Sequence, residues 1–367
     1  MKKKYIMIVI SLIFLIVLLT ILMINNNKVY IMHDGVMLAL TLDGKTIKTY
    51  PEGRNYGVNI NCENGKGKWL VDEWKLAVEE ITGNVICNIE FKSNPTTLKS
   101  KVEEVNLNNN YDSNGYRYSG TNPNNYIWFN NEMWRIIGSI PTCLEASCGT
   151  NTTNLVKIIR KNSIGGLAFD GVSSNHTGTW GENTLYTLLN EYYYGAQDGS
   201  SSNYCYGYLA TYRAKCNYII NGINPTGYYG KMVNNVYWNS GSGGTTGVTS
   251  SAAYTKEIAT RTISGYIGLF SLSDYGYAAD KTYHSTTLDN YNTKAITSTN
   301  WLHDQGGEWL INEYSGSSYT NIYISATGTG MSNAYSAKYT RPVVYLDPSV
   351  YIISGDGTEG NPYQIGM

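Results

Sequence analysis

Tyr126-Ile127-Trp128-Phe129-Asn130-Asn131-Glu132-Met133-Trp134-Arg135-Ile136-Ile137-Gly138 sets two aromatic and aliphatic runs on either side of a polar Asn-Asn pair. Such runs, split by turn-forming residues, predict a β-hairpin. The hairpin opens a large domain expected over 111–367. Residues 155–160, 266–270 and 322–324 read as further strands. So does 341–346, where Pro342 stands at the strand start and its missing N–H is tolerated. One helix is clear: Leu185, Leu188, Leu189 and Tyr192 fall on one face at helical spacing. Trp128, Trp134, Trp180 and Trp309 are expected in the core. Arg341 is expected to anchor its strand through Asp274 or Glu308.

Upstream, residues 29–93 read as a small all-β module. The run 36–42 leads into Asp43-Gly44, a hairpin-turn dipeptide, and 58–62 and 85–91 alternate apolar with polar. An immunoglobulin-like module is expected, although about 65 residues is short for seven strands. Residues 94–110, rich in Lys, Glu and Asn, read as a linker. At the N-terminus, Met1-Lys2-Lys3-Lys4 precedes an apolar run from Tyr5 to Ile24 broken only by Ser11 and Thr20. A helix of that length spans roughly 30 Å, the thickness of a bilayer core. The lysines before it place the N-terminus in the cytoplasm. Residues 1–28 are therefore expected to be a cytoplasmic tip and signal anchor, with residues 5–24 in the lipid bilayer and the remainder of this cell-membrane protein extracellular.

Lys and Arg number 27 against 28 Asp and Glu, without long runs, which excludes an electrostatic footprint for nucleic acid. The chain carries 34 tyrosines and 38 glycines among many Asn, Ser and Thr, a mixture suited both to exposed strands and to adaptable binding loops. Cys62/Cys87, Cys143/Cys148 and Cys205/Cys216 fall as three close pairs without the histidine companions of a zinc site. Six cysteines allow fifteen connectivities; proximity favours the local set, and an extracellular location favours its oxidation.

The order of motifs carries a resemblance. A Trp134-Arg135-Ile136-Ile137-Gly138 hairpin is followed by Thr179-Trp180, Asn183, Leu185 and Leu189-Asn190. Next come Ile267-Gly268-Leu269 with Ser273-Asp274-Tyr275-Gly276, then Asn300-Trp301-Leu302, Glu308-Trp309-Leu310 and a terminal Arg341-Pro342-Val343-Val344-Tyr345-Leu346. Over 115–367 this series resembles bacterial surface proteins that carry a C-type-lectin-like domain of uncharacterised function, distantly similar in fold to formylglycine-generating enzymes. The closing Gly355-Asp356-Gly357-Thr358 and Asn361-Pro362-Tyr363 are similar to the ends of such proteins. The fold class implied is α+β: a transmembrane helix, the small β module and a lectin-like α+β domain. A lectin-like fold also implies a loop-rich binding face, and Tyr275, Tyr277, Tyr283, His303, Tyr314 and Tyr319 are the candidate ligand-binding residues. Tyrosine rings stack on apolar faces while their hydroxyls hydrogen-bond.

The activities of the resembled families do not carry over. The last cysteine is Cys216, so the late reactive pair of formylglycine-generating enzymes has no counterpart. Trp238-Asn239-Ser240 stands where a calcium-dependent lectin has Trp-Asn-Asp, so no calcium cage is expected. The nucleophile elbow Gly-x-Ser-x-Gly and the zinc motif His-Glu-x-x-His do not occur. The glycine-rich run 241–247 lacks the lysine of a phosphate loop. Glu182/Glu191 and Glu308/Glu313 read as ordinary carboxylates rather than a glycosidase pair. The expectation is a non-catalytic adhesion or binding protein without cofactor or metal, whose partner is an extracellular glycan or protein. The alternative is a structural envelope protein that self-associates without a separate ligand.

Overall fold

The structure, a computed structural model, describes residues 30–367 except 34, 110–113, 147, 172–175, 206–214, 242, 260–262 and 304–305. The apolar run 5–24 therefore lies outside the described residues. Among the described residues no helix is long and apolar enough to cross a membrane. The chain divides into two compact units after Pro95.

The smaller unit is a five-stranded sheet. Val36–Leu42 pairs with Tyr30–His33 and Lys45–Ile47 on one side and, in parallel, with Ile86–Lys92 on the other. Gly57–Glu63 then pairs antiparallel with Ile86–Lys92. Asp43 and Gly44 both take positive φ, the geometry a two-residue hairpin turn demands. A hairpin of Lys66–Leu70 and Lys75–Glu79 brings in Trp69, fully buried, with the rings of Tyr50, Trp74 and Phe91 packed around it at 5.1, 5.2 and 5.4 Å. Cys62 lies directly opposite Cys87 in the register and is bonded to it across a Cα separation of 4.1 Å. The local pairing holds at all three sites, with Cys143–Cys148 and Cys205–Cys216 also joined.

The larger unit begins with a helix. Leu98–Val105, read from composition as linker, is a helix capped by the Thr97 hydroxyl. Leu98 and Val102, one turn apart, are fully buried, and that short stripe outweighs the charged remainder. A seven-stranded sheet follows, in the order Val343–Leu346, Thr153–Arg160, Glu132–Thr142, Tyr126–Phe129, Tyr363–Gly366, Tyr351–Ser354, with Tyr116–Arg117 paired to Glu132–Thr142. The expected hairpin lies within it. Glu132 faces Phe129, Trp134 faces Ile127, and Asn130 and Asn131 both take positive φ in the turn. Gly166–Ala168, Ala337–Tyr339, Glu308–Glu313, Thr320–Ser325 and Gly328–Asn333 form a second sheet. The expected helix starts at Asn183, whose side chain caps it, runs through Thr184–Thr187 and relaxes into wider and tighter turns to residue 195. Leu185, Leu188 and Leu189 are buried as the spacing predicts. Trp134, Trp180 and Trp309 are core residues, whereas Trp128 is half-buried on the outer side of its strand.

The α+β, C-type-lectin-like class expected from the resemblance is overturned. The molecule is mostly β, with 17% of residues helical, and its α-helices are short, none longer than nine residues among the described ones. Motif order alone did not reveal how much of the loop-rich sequence would become strand.

Candidate functional site

The structure does not gather the six candidate binding residues into one exposed surface, although it brings Tyr275 and His303 together. Tyr275 and Tyr277 belong to the helix Leu272–Ala278, every residue of which is buried, so neither forms a binding surface. The cause is local. Ser271 and Asp274 form a reciprocal capping box that turns the segment into a helix instead of an exposed loop. Tyr275 Oη lies 3.0 Å from Nδ1 of half-buried His303, and Tyr277 Oη accepts from the Asn114 amide at 2.8 Å. Tyr283 and Tyr314 are half-buried against the core. Tyr319 alone is well exposed, at 58%.

Two other concentrations of polar side chains stand out in the larger unit. The first is buried. Asp274 accepts from Arg117 through Oδ1 and from Lys157 through Oδ2, each at 2.5 Å, with all three side chains 3% exposed or less. Next to it, Glu257 accepts from the Ser271 hydroxyl at 2.9 Å, the Ser273 N–H at 2.8 Å and the Asn312 amide at 3.2 Å. Burial alone would raise Asp274, but Lys157 and Arg117 outweigh it and hold the carboxyl at about 2. Burial, reinforced by the negative charge of Asp274, pushes Glu257 upward. The Arg117 guanidinium lies 5.0 Å from the Tyr277 ring, and Lys157 Nζ lies 5.4 Å from that of Tyr345. This hub ties two helices to three strands. Sealed from solvent, it offers no place for a substrate. A second buried ion pair joins Arg341 to Glu308, at 2.6 and 2.7 Å, which settles the partner of the strand anchor.

The second concentration is open: a groove of about 560 Å³, inside the size range of small-molecule sites. One wall is the C-terminal end of the 98–105 helix, with Lys101, Val105, Asn106 and Asn109. Asn106 is buried and closes that end by donating to the Val102 carbonyl at 2.9 Å. The opposite rim is the loop carrying Ser119, Pro123 and Asn124. Arg135 fixes this loop. Its guanidinium is sandwiched by Tyr126 and Trp301, at 4.3 and 4.5 Å, and donates to Asn125 Oδ1 at 2.8 Å and Asn122 Oδ1 at 3.2 Å. Trp301 adds a bond from its indole N–H to the Tyr118 carbonyl at 2.9 Å. Tyr118 and Tyr363 form the floor, both nearly buried, and burial raises both phenols.

The third side is the turn at Gly355 and Asp356. Gly355 and Gly357 take φ of +92° and +80°, and a Cβ on Gly357 would stand 2.5 Å from the Tyr363 ring and 2.6 Å from the Asn124 carbonyl. Glycine is therefore required to bring this turn onto the floor. Burial pushes Asp356 up, but the Thr358 hydroxyl and N–H, at 2.7 and 3.0 Å, prevail and keep it below the usual carboxylate range.

Sequence reading missed this site because its walls come from 98–109, 118–124 and 355–363, far apart in the chain. The turn residues Gly355-Asp356-Gly357 and Tyr363 were the one visible signal. Among the described residues no cluster of three or more His, Cys, Asp or Glu side chains could hold a metal ion. The chain matches no protein-family model, no curated protein and no solved structure.

Proposed function

We propose that this protein is an extracellular binding protein that recognises a glycan or a protein without catalysis, and that its site is the groove over Tyr118 and Tyr363. The groove itself carries the reading: about 560 Å³, open to solvent, with aromatic, amide and charged groups converging from three segments. Such concavities, lined by apolar surface with a few placed polar groups, are where ligands bind. Three disulfides support a location outside the reducing cytoplasm. Attachment to a bilayer through residues 5–24 rests on the sequence, as does the cell-surface role that would follow from it.

The test uses the full chain displayed on cells or purified in detergent, with adhesion to glycan-coated and protein-coated surfaces as readout. Val105 is 46% exposed at the last turn of the wall helix, so Val105→Arg fills the groove without touching the core. Adhesion that falls at least tenfold in this variant supports the reading. Adhesion that is strong and indifferent to Val105→Arg would move the site elsewhere.

A further inference from the structure

The chemistry lining the groove narrows its ligand further, on the assumption that the groove is the binding site. Its two charges already have partners. Lys101 Nζ lies 3.1 Å from the Glu104 carboxylate, and Asp356 accepts twice from Thr358. An anionic ligand would have to compete with Glu104 for Lys101 and would be repelled by Asp356, and a cationic one would have to compete with the hydrogen bonds that Asp356 already accepts. What the walls offer instead are the side-chain amide of Asn124 and that of Asn109, whose NH2 also donates to Asn106 Oδ1 at 3.4 Å, beside the apolar surfaces of Val105 and Pro123 and the small exposed edges of the two tyrosines. That pairing of amides with flat apolar surface suits a pyranose, whose hydroxyls each donate and accept and whose C–H face is apolar.

An extended peptide is the main competitor, and the backbone argues against it. Peptides commonly bind by adding a strand to an open sheet edge. The nearest edge strand, Tyr351–Ser354, is already covered: Leu98 N–H donates to Val350 O at 2.8 Å and Ile352 N–H to Thr96 O at 2.9 Å. The chain's own 96–98 segment occupies the place a peptide strand would take.

We infer that the groove between the 98–105 helix, the 119–124 loop and the Gly355-Asp356 turn binds a neutral saccharide. The experiment titrates the full chain, in a detergent without a sugar headgroup, against neutral oligosaccharides of glucose, galactose, mannose and N-acetylglucosamine. Sialylated and sulfated counterparts are run in parallel, each at low and at 0.5 M salt. The expected result is saturable binding to at least one neutral oligosaccharide, at least tenfold weaker for its acidic counterpart and unchanged by salt. Val105→Arg and, separately, Asn124→Leu should each reduce it at least tenfold while leaving the melting temperature in place.

Preference for the acidic series, with affinity lost at high salt, would overturn the inference and assign the groove to an anionic ligand. Failure of every neutral sugar, while Val105→Arg still abolishes adhesion, would overturn it and leave the groove as a site for another partner. Sugar binding that ignores both variants would instead remove the groove from the reading altogether.

Discussion

The buried hub at Asp274 and the open groove over Tyr118 use the same kinds of side chain to opposite ends. In the hub, Arg117 and Lys157 converge on one carboxylate, with every partner 3% exposed or less. In the groove, Lys101 and Asp356 find their partners within their own segments, Glu104 for the one and Thr358 and Asn361 for the other, and the amides between them line a cavity. Charges that join distant elements hold a fold together, whereas charges satisfied locally leave the surface between them available. These two polar clusters therefore differ in how far apart in sequence their members lie. Asp274 is 157 residues from Arg117, and Lys101 is three from Glu104.

The largest effect expected from this contrast is at Asp274. Asp274→Asn leaves Arg117 and Lys157 buried without a counter-charge, and breaking a buried pair in this way costs about 3–5 kcal/mol. Chemical denaturation should show that loss, with binding per folded molecule unchanged. The carboxyl also gives the hub a pH signature. Because its folded value of about 2 lies below the unfolded value of 3.8, its contribution is complete above about pH 5 and is lost as pH falls through about 2. Glu257 acts in the opposite sense. Its raised value makes the stabilisation greatest while it is protonated and smaller as pH rises through the folded value. Melts between pH 5 and 2 should therefore fall more steeply in the wild type than in Asp274→Asn. Equal slopes would mean that the hub carboxylate does not dominate acid unfolding.

Tyr275 and Tyr319 sharpen the contrast at single residues. Tyr275 is fully buried and meets His303, whereas Tyr319 is 58% exposed. Tyr275→Ala should cost about 3 kcal/mol or more, as large core truncations do. Tyr319→Ala should stay within about 0.5 kcal/mol. Comparable losses from both would show that exposure fails to separate core from surface here. In the smaller unit, Cys62→Ser with Cys87→Ser releases a bridge of sequence separation 25, for which the loop-entropy argument gives about 3 kcal/mol. That loss should appear in the melting of residues 30–95 alone, read by the fluorescence of Trp69 and Trp74.

Much of the strand framework was legible because its signals are local. The Asn130-Asn131 turn, the Asp43-Gly44 turn, the 185/188/189 stripe and the three cysteine pairs each announce themselves within a few residues. The helix at 98–105 was hidden because only Leu98 and Val102 mark its buried face among charged neighbours. The 272–278 helix was misread as exposed loop because its capping box, Ser271 with Asp274, sits in a tyrosine-rich segment that looks like surface. Of the groove, only the turn at Gly355-Asp356-Gly357 and Tyr363 left a mark in the sequence. Its floor residue Tyr363 is placed by the parallel pairing of Tyr363–Gly366 with Tyr126–Phe129, and Tyr118 by its N–H on the Ile137 carbonyl, long-range contacts with no local signature.

The smallest expected effect tests the contrast at its weakest charge. Lys101 lines the groove but is paired with Glu104 in the same helix, and helix-surface pairs three or four residues apart contribute only about 0.2–0.5 kcal/mol. Lys101→Ala should therefore leave stability almost unchanged. If the ligand is neutral, its affinity should also change less than threefold, since the ammonium supplies no counter-charge that the ligand needs. An anionic ligand would behave differently, because removing the Lys101 ammonium would weaken it strongly at low salt and little at high salt. The salt dependence of this one variant thus separates a locally satisfied charge from a recruiting one, the distinction on which the difference between hub and groove depends.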